Sequence, residues 1–340
     1  MTVLRDFYSV VCNTDTENEW IFLLNDRYFE ETENVKILIL PEIKKSWIKR
    51  LLFDFVTGKK YIQDLAPDVV LSMQNIITFG LNIPQAVYIH QSIPFQSTYH
   101  FSFLKKSERK LAVVQYLIGG IIKLSARKSD YIIVQTKWMK DAVCKLCHQL
   151  DNKVLTCLPT VKCEPENTEE TELFEPTSFF YPTSSAIYKN NACIFAASAI
   201  LEAKGISHKV TLTLSSERNT DSVICTGRLP HNEVMKRYRS STLVFPSYIE
   251  TFGYPLAEAR QAGTIVLAAD TPFSREVLDG YENAYFFDPF KPEELAALME
   301  AVASGAITRN TISSVLENAE KTWTAVISAV YKLNGNKDIK

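Results

Sequence analysis

The chain has 340 residues, of which 46% are hydrophobic and 22% charged, and its formal net charge is −2. This is an ordinary globular composition, and the length suits two domains better than one core. The charge argues against a chain that binds nucleic acid over its whole surface. The sequence also lacks a signal-peptide pattern and any run of about 18 apolar residues, so we expect a cytoplasmic protein without a transmembrane helix.

The first half of the chain alternates short apolar runs with helical patterns, which is typical of an α/β domain with a parallel sheet. Residues 2–12 place Leu4, Phe7, Tyr8 and Val11 on one face and predict a helix. Continuous apolar runs predict buried strands at 19–24, 35–40, 67–73, 85–90 and 130–136.

A second series of strands and helices follows an acidic, proline-flanked stretch, residues 164–176, which predicts an interdomain connection or surface loop. The predicted strands are 178–183, 209–215, 222–227, 242–247 and 264–269. The predicted helices are 190–205, 231–241, 251–263 and 292–305, with a last helix at about 310–333.

The predicted fold is therefore α/β, with two Rossmann-like, doubly wound domains facing a cleft. We expect the first domain to span residues 1–160 and the second 161–309. The final helix, 310–335, is expected to pack back toward the first domain.

The seven cysteines are expected to be free thiols, since their number is odd and no secretion signal precedes them. The run CKLCH, residues 144–148, has the spacing of a c-type haem attachment site. It lies in a helical pattern with an ordinary apolar face, which favours a plain helix. Cys157 and Cys163 are badly spaced to complete a zinc site with it. We therefore expect no metal and no cofactor.

Two glutamates, Glu250 and Glu258, lie around a predicted strand-to-helix junction in PSYIETFGYPLAEARQAG, residues 246–263. Ligands of open α/β sheets bind beyond the carboxyl ends of the strands, and a helix N-terminus there suits phosphate. Gly253 lets a ligand approach the backbone closely, and Pro255 fits the first helical turn. Carboxylates accept paired hydrogen bonds from vicinal hydroxyls. A phosphate flanked by two sets of hydroxyls describes a sugar nucleotide.

The run ETFGYPLAE, with its flanks YRSSTLVFPSYI and ARQAGTIVLAADTPFSREVL, resembles the E-x7-E signature of the retaining family 4 glycosyltransferases. That family, also called glycosyl transferases group 1, has the GT-B fold, and the resemblance spans most of residues 178–300. It implies that Glu250 contacts hydroxyls of the donor sugar and that Glu258 contacts the nucleotide ribose. The alternative for the bare spacing is two exposed glutamates at a helix end.

The resemblance assigns further donor-binding roles in the second half of the chain. In FYPTSSAIYKN, Lys189 matches a phosphate-binding lysine, but the family's arginine is replaced by Ser184. The hydroxyls of Thr183 and Ser184 remain as donors, and Arg228 is a candidate source of the lost charge. The alternative for Lys189 is a solvated surface lysine. Further implied contacts are the base with Gly227 and Leu229, and the diphosphate with the amides of Thr251, Phe252 and Gly253.

In the first half, the resemblance places His90 beside the donor sugar and the acceptor, at the end of the predicted strand 85–90. The alternative is a core histidine satisfied by hydrogen bonds. Asn75 also follows a predicted strand at the same edge. The family's first strand and Gly-rich loop have no counterpart before Thr2. Two interpretations stay open, a start assigned too late or a degenerate copy of the enzyme.

Residues 44–128 hold 13 lysines and arginines against 4 acids, in a chain whose total charge is −2. The basic residues alternate with apolar ones, as in KKSWIKRLLFDFVTGKK, which favours an anionic membrane surface. The alternative is a set of solvated helix faces. Nucleic acid would also attract this charge, but the sequence has no recognised motif for binding it.

The sequence thus predicts an enzyme, a retaining hexosyltransferase that uses a nucleoside diphosphate sugar and a hydroxyl acceptor on a growing glycan. We expect a lipid-linked bacterial precursor of lipopolysaccharide or capsule, handled at the inner face of the plasma membrane. The predicted catalytic residues are Glu250, His90 and Lys189. No metal is expected, because the sequence contains no Asp-x-Asp. The alternatives are a non-catalytic remnant that binds a donor or partner, and a sugar-nucleotide epimerase.

Overall fold

A computed structural model describes residues 2–14, 17–161, 173–310 and 319–333. These residues form two compact units. The first unit takes its described residues from 1–95, 111–160 and 318–340, and the second from 96–110 and 161–317. Residues 96–110, from the first half of the chain, therefore pack with the second unit.

The first unit contains two parallel sheets. Strands β1 (Trp20–Leu24) and β2 (Val35–Ile39) pair with each other, and β3 (Val70–Ser72), β4 (Gln85–Ile89), β5 (Tyr131–Val134) and β6 (Val154–Thr156) form the other sheet in that order. Its helices are α1 (Thr2–Thr14), α2 (Trp47–Leu52), α3 (Gly58–Asp64), α5 (Gly119–Lys128), α6 (Lys137–Cys147) and α12 (Ala319–Leu333). The short α4 (Arg109–Ala112) spans the boundary between the two sets of residues.

Strand β4 shows why this half of the sequence reads as continuous apolar runs, since all five of its residues are buried. Ala86 and Tyr88 pack into one cluster with α1 and α12, where Tyr88 stacks on Trp323 with ring centroids 5.8 Å apart. Val87 and Ile89 face the opposite side, against α5 and α6. Alternate residues point to opposite faces of a strand, so helices on both faces favour apolar residues at successive positions. The polar exception in β4 is Gln85, whose side chain bonds to the amide and the carbonyl of Thr78.

The second unit contains one parallel sheet of six strands. Its strands are β7 (Ser178–Tyr181), β8 (Lys209–Leu212), β9 (Val223–Cys225), β10 (Thr242–Phe245), β11 (Val266–Ala269) and β12 (Ala284–Phe287). Their order across the sheet is β12-β11-β10-β7-β8-β9. The connecting helices are α7 (Asn191–Ala203), α8 (His231–Ser240), α9 (Tyr254–Gln261), α10 (Pro272–Val277) and α11 (Pro292–Ala303). The predicted α/β class, with two units built on parallel sheets, is confirmed.

Several local predictions change in detail. Helix α9 begins at Tyr254 rather than at 251, because Gly253 has a φ of +85°, outside the helical region. Strands β6 and β12 and helix α10 were not predicted, since they are short and the two strands are partly exposed. Residues 164–172 of the predicted connection and 311–318 of the predicted last helix lie outside the described residues.

The CKLCH run forms the last turn of α6 and its C-cap, with His148 in the left-handed region at φ +54°. Six cysteines are free thiols, and Cys163 lies outside the described residues. Among the residues that the structure describes, no group of three or more His, Cys, Asp or Glu side chains is arranged to hold a metal. In the same part of the chain, no helix has the length and apolar character needed to cross a membrane.

Candidate functional site

The six-stranded sheet changes winding direction between β7 and β10. From β7 the chain builds outward through β8 and β9, and it then returns to the other side of β7 to place β10. Such a switch point leaves a crevice at the carboxyl ends of the two central strands, where ligands of this sheet type bind. Residues 182–190 follow β7 and residues 246–253 follow β10, so most of the predicted site residues lie at this point.

Lys189 and Glu250 form an ion pair at the switch point. Lys189 Nζ lies 2.5 Å from Glu250 Oε1, and the two side chains are only 19% and 17% exposed. Ser247 Oγ donates a second hydrogen bond to the same carboxylate oxygen, at 2.7 Å. Neither Lys189 nor Glu250 is therefore a solvated side chain.

The loop that carries Lys189 is fixed to the loop after β10. The amide of Tyr248 donates to the carbonyl of Tyr188 at 3.1 Å. Asn190 adopts the left-handed conformation, with φ +54°, and its amide group donates to the carbonyl of Pro289 at 2.6 Å. Asparagine tolerates this conformation better than most residues, so Asn190 can end the loop at the N-cap position of α7.

The backbone turns sharply into α9 at Gly253. A Cβ atom there would lie 3.2 Å from Leu256 Cδ1, and the positive φ would strain any other residue. Phe252 is buried and packs edge-on against Tyr254, so only its backbone is available to a ligand. Thr251 and Gly253 flank it, and the start of α9 supplies amides with a positive dipole.

Glu258 lies inside α9 and accepts a hydrogen bond from the hydroxyl of Tyr238, at 3.1 Å. Tyr238 is fully buried on α8. Burial raises the pKa of the Glu258 carboxyl above its usual range, and the Tyr238 bond acts in the opposite direction. The carboxylate is thus held in a partly desolvated position, where its ionised form is destabilised unless a ligand donates to it.

A cavity of about 680 Å³ opens beside the switch point, where β7, β8 and β9 end. Four of the predicted residues line it: Thr183, Ser184, Arg228 and Leu229. Arg218 and Leu214 also line it and were not predicted. Arg218 belongs to no motif, and its place follows from the pairing of β7 with β8, which puts the residues after both strands at one edge.

Hydrogen bonds between loops shape the wall of this cavity. Thr183 and Thr213 bond reciprocally, since the Thr183 amide donates to Thr213 Oγ1 and that hydroxyl donates to the Thr183 carbonyl, each at 2.7 Å. Gly227, with φ +74°, donates its amide to the carbonyl of Leu214 at 2.7 Å. The Thr183 hydroxyl donates to Asn191 Oδ1 at 2.9 Å, which gives it a structural contact within the loop.

In the first unit, the structure brings His90 and Asn75 together at the ends of β4 and β3. Asn75 Oδ1 accepts from the amides of His90 and Gln91 at 2.8 and 3.0 Å, and Asn75 Nδ2 lies 3.3 Å from His90 Nε2. His90 is exposed as a residue, unlike a core histidine, although partial burial lowers the pKa of its imidazole below the usual range. Asn75, at φ +68°, therefore holds both the backbone and the ring of His90.

Residues 207–321, about a third of the chain, match the family model described as Glycosyl transferases group 1. The match contains both Glu250 and Glu258. By sequence, no curated protein matches this chain.

Many solved structures resemble the chain, and they include the following three. Sucrose-phosphate synthase from Thermosynechococcus elongatus is 15% identical, with a TM-score of 0.62 over 97% of this chain and 90% of that one. WaaG, a glycosyltransferase involved in lipopolysaccharide biosynthesis, is 12% identical, with a TM-score of 0.60 over 98% and 94%. The pneumococcal O-GlcNAc transferase GtfA, in complex with UDP and GlcNAc, is 12% identical, with a TM-score of 0.54.

The match to GtfA covers 82% of this chain but only 60% of GtfA, so this chain spans less than two thirds of the length of that protein. At these identities the likeness concerns the fold. The predicted GT-B fold is confirmed.

Proposed function

We propose that this protein is a retaining glycosyltransferase that moves a hexose from a nucleoside diphosphate sugar to a hydroxyl of a glycan. The observation that carries the proposal is the Lys189–Glu250 pair at the switch point, next to the start of α9. A cation and a helix N-terminus suit a diphosphate, and a carboxylate suits sugar hydroxyls. The match of residues 207–321 to a glycosyl transferase family supports the same reaction.

The donor is proposed to lie along the carboxyl ends of the strands. Its base would contact the loop of Gly227 and Leu229, and its ribose would donate hydrogen bonds to Glu258. The diphosphate would meet the amides at the start of α9 together with Lys189. Glu250 would then accept hydrogen bonds from the hexose. UDP bound to the structural relative GtfA supports a nucleoside diphosphate at such a site.

The main catalytic task in this proposal is to stabilise the departing diphosphate. The bond between the anomeric carbon and the diphosphate oxygen breaks, and the electron pair leaves with the diphosphate. The acceptor oxygen bonds to the same face of that carbon, and its proton passes to the departing phosphate oxygen. The ammonium group of Lys189 would separate from Glu250 and pair with the negative charge that forms on the departing diphosphate. His90, positioned by Asn75, is proposed to lie beside the reacting sugar.

The cationic side chain and the helix start would fill the role that a divalent cation has in other transferases. We therefore propose that transfer needs no metal, as the lack of Asp-x-Asp in the sequence also suggests. Transfer that persists in a chelating buffer would support this, and restoration only by added Mg²⁺ or Mn²⁺ would contradict it.

The acceptor is proposed to be lipid-linked, with the first unit resting on an anionic membrane surface at the inner face of the plasma membrane. Phe79 joins two basic segments of that unit, since it stacks on Phe55 at 4.3 Å and lies under Lys128 Nζ at 6.0 Å. Nearby helices expose large apolar side chains, with Ile48 79% and Leu117 63% exposed.

An acid within these segments is withdrawn from the surface. Asp54 is 1% exposed and accepts a hydrogen bond from Arg50 Nε at 2.8 Å. Lys45 and Lys49 pair with Glu42, and Lys105 pairs with Glu108, but basic residues still outnumber acids in these segments. Exposed apolar side chains among an excess of basic ones fit an interfacial membrane surface. The structural likeness to WaaG, a glycosyltransferase involved in lipopolysaccharide biosynthesis, supports such an acceptor.

The function is tested by donor binding followed by turnover. The chain is screened by thermal shift against UDP-, GDP- and ADP-sugars, with Glu258→Ala as the site variant and Glu202→Ala, an exposed glutamate on α7, as the control. We expect one nucleotide class to raise the melting temperature of wild type and control but not of Glu258→Ala. Transfer to a lipid-linked glycan with retained anomeric configuration would complete the test.

The other outcomes separate the alternatives. Stabilisation by a donor without turnover indicates a non-catalytic remnant. Conversion of the donor without an acceptor indicates an epimerase. A folded chain that no sugar nucleotide stabilises contradicts the proposal.

A further inference from the structure

The proposed diphosphate site lacks a positive charge at position 184, in the loop that follows β7. Where the resemblance leads us to expect an arginine, the chain has Ser184, whose exposed side chain carries no charge. Lys189 is the matching lysine, and it is engaged with Glu250 in the absence of donor. A diphosphate brings more negative charge than one lysine and a helix start balance, so a second cation is expected.

Two arginines from neighbouring loops line the cavity of Ser184. Arg218 ends a short 3-10 turn, Ser216–Arg218, after β8, and Arg228 follows β9. Within the described ranges, the side chains of Arg218 and Arg228 make neither an ion pair nor a hydrogen bond, and both are exposed. Glu217 also lines the cavity, so these three side chains together leave it positive.

The loop of Arg218 is fixed relative to the loop of Ser184. The reciprocal bonds of Thr183 and Thr213 join them, and the register of β7 with β8 pairs Tyr181 with Leu212 just before both loops begin. An arginine after β8 therefore shares a wall with the residues after β7. A guanidinium there presents a planar fork of donors, which suits bidentate recognition of phosphate.

We infer that Arg218 supplies the phosphate-binding charge that Ser184 lacks, from a different strand of the same sheet. This rests on the proposed function, since it concerns the diphosphate of the same donor. Arg218 contacts the phosphates rather than the base or the ribose. Removing the charge of Arg218 should therefore lower the affinity for nucleoside diphosphates and leave the affinity for nucleosides unchanged.

The test compares the affinities of UDP, GDP and ADP with those of uridine, guanosine and adenosine by calorimetry, on the full chain. We expect Arg218→Ala to lower the affinity for the nucleoside diphosphate about 10- to 100-fold, as for a lost hydrogen bond to a charged group. The matching nucleoside should bind as to wild type. Arg218→Ala/Ser184→Arg should recover most of the loss, because the added arginine returns the charge to the same cavity.

Lys209→Ala is the matched control, since Lys209 is an exposed cation at the opposite, amino end of β8. It should leave both affinities unchanged. Equal diphosphate affinity in wild type and Arg218→Ala overturns the inference while the proposed function stands. An equal loss of nucleoside and diphosphate also overturns it, because it shows a base contact or a change of fold. Wild type that binds no nucleoside diphosphate contradicts the proposed function itself.

Discussion

Lys189 Nζ lies 2.5 Å from Glu250 Oε1, although 61 residues separate them in the chain. The pair joins the loop after β7 to the loop after β10 across the switch point of the sheet. In the proposed reaction, each partner has a different ligand group, phosphate for Lys189 and sugar hydroxyls for Glu250. Donor binding must therefore open the pair, and its free energy opposes binding until the new contacts form.

The strength of this pair can be measured by a double-mutant cycle. Lys189→Met and Glu250→Gln should each lower the free energy of unfolding, by about 1 to 3 kcal/mol, because each leaves a mostly buried partner unpaired. The double variant should lose less than the sum, with a coupling of about 1 kcal/mol. Chemical denaturation of the four proteins measures it. Saturating donor should reduce the coupling, since the pair is then open.

The control cycle uses Lys204 and Glu300, whose ammonium and carboxylate lie 2.6 Å apart but are 49% and 42% exposed. Its coupling should stay below about 0.5 kcal/mol, as for other surface pairs. Additive losses at Lys189 and Glu250 would show that the pair contributes nothing and that donor binding need not break it.

Glu258 is expected to lower the stability of the donor-free protein at neutral pH. Burial raises its folded-state pKa, so the folded protein binds this proton more tightly than the unfolded chain. Below the pKa of Glu258 in the unfolded chain, near 4.3, the carboxyl is protonated in both states and does not lower the free energy of unfolding. As the pH rises from there through the folded-state pKa, the carboxyl ionises more readily in the unfolded chain, and the folded state loses stability. Glu258→Gln removes this loss and keeps an acceptor for Tyr238. The variant should be more stable than wild type at pH 7.5.

Denaturant titrations at pH 7.5 and pH 4 check this prediction. Each unit by which the pKa is raised corresponds to about 1.4 kcal/mol at the higher pH, and the difference should shrink at pH 4. Glu202→Gln, at an exposed position on α7, is the matched control for the loss of one carboxylate. A Glu258→Gln variant that is less stable at pH 7.5 would mean that the ionised carboxylate is stabilised by its surroundings.

Asn75 is predicted to be a positioning residue for His90. Asn75→Ala loses the hydrogen bonds to the backbone after β4 and places alanine at φ +68°, which costs about 1–2 kcal/mol. Asn75→Gly loses the same bonds without that strain. Both should reduce turnover, and glycine should be the more stable of the two. His90→Ala should reduce turnover with little effect on stability, since His90 is an exposed residue.

Turnover and unfolding measurements on the three variants decide the matter. Asn190→Ala is a matched control for strain, because Asn190 is also a left-handed asparagine, at φ +54°. It should lose stability to a similar degree. Wild-type turnover by Asn75→Gly would show that His90 needs no support from this side chain.

The sequence predicted strands best where both faces are buried. Every residue of β4 is buried, and the four that follow Gln85 form an uninterrupted run of Ala, Val, Tyr and Ile. Strands β6 and β12 are short and partly exposed and leave only weak patterns. The start of α9 was misplaced because the helical pattern of its side chains continues through Gly253, whose backbone is not helical.

At the candidate site, the sequence identified residues but not their pairing. Lys189 and Glu250 were found through their motifs, yet their contact depends on β7 and β10 being neighbours, which local patterns do not encode. Arg218 has no motif and became visible only through the pairing of β7 and β8. Asn75 was predicted from its place after a strand, and the structure adds its bonds to His90.

The first unit is predicted to bind anionic membranes through its exposed basic and apolar side chains. Wild type should bind vesicles of phosphatidylcholine with phosphatidylglycerol, and much less those of phosphatidylcholine alone, with an affinity that falls as salt rises. Lys59→Gln/Lys60→Gln should weaken binding by about 1 kcal/mol per lysine. Ile48→Ser/Leu117→Ser should weaken it by removing exposed apolar contacts. Vesicle co-sedimentation measures all of these.

Lys204→Gln/Lys209→Gln serves as the control, since it removes two exposed lysines from the second unit. It should bind vesicles as wild type does, because its net charge matches that of Lys59→Gln/Lys60→Gln but the basic segments stay intact. Equal weakening by the two double variants would show that net charge alone directs the protein to the vesicles. Equal partition to neutral and anionic vesicles would contradict the membrane surface, and a freely diffusing acceptor would then fit the enzyme better than a lipid-linked one.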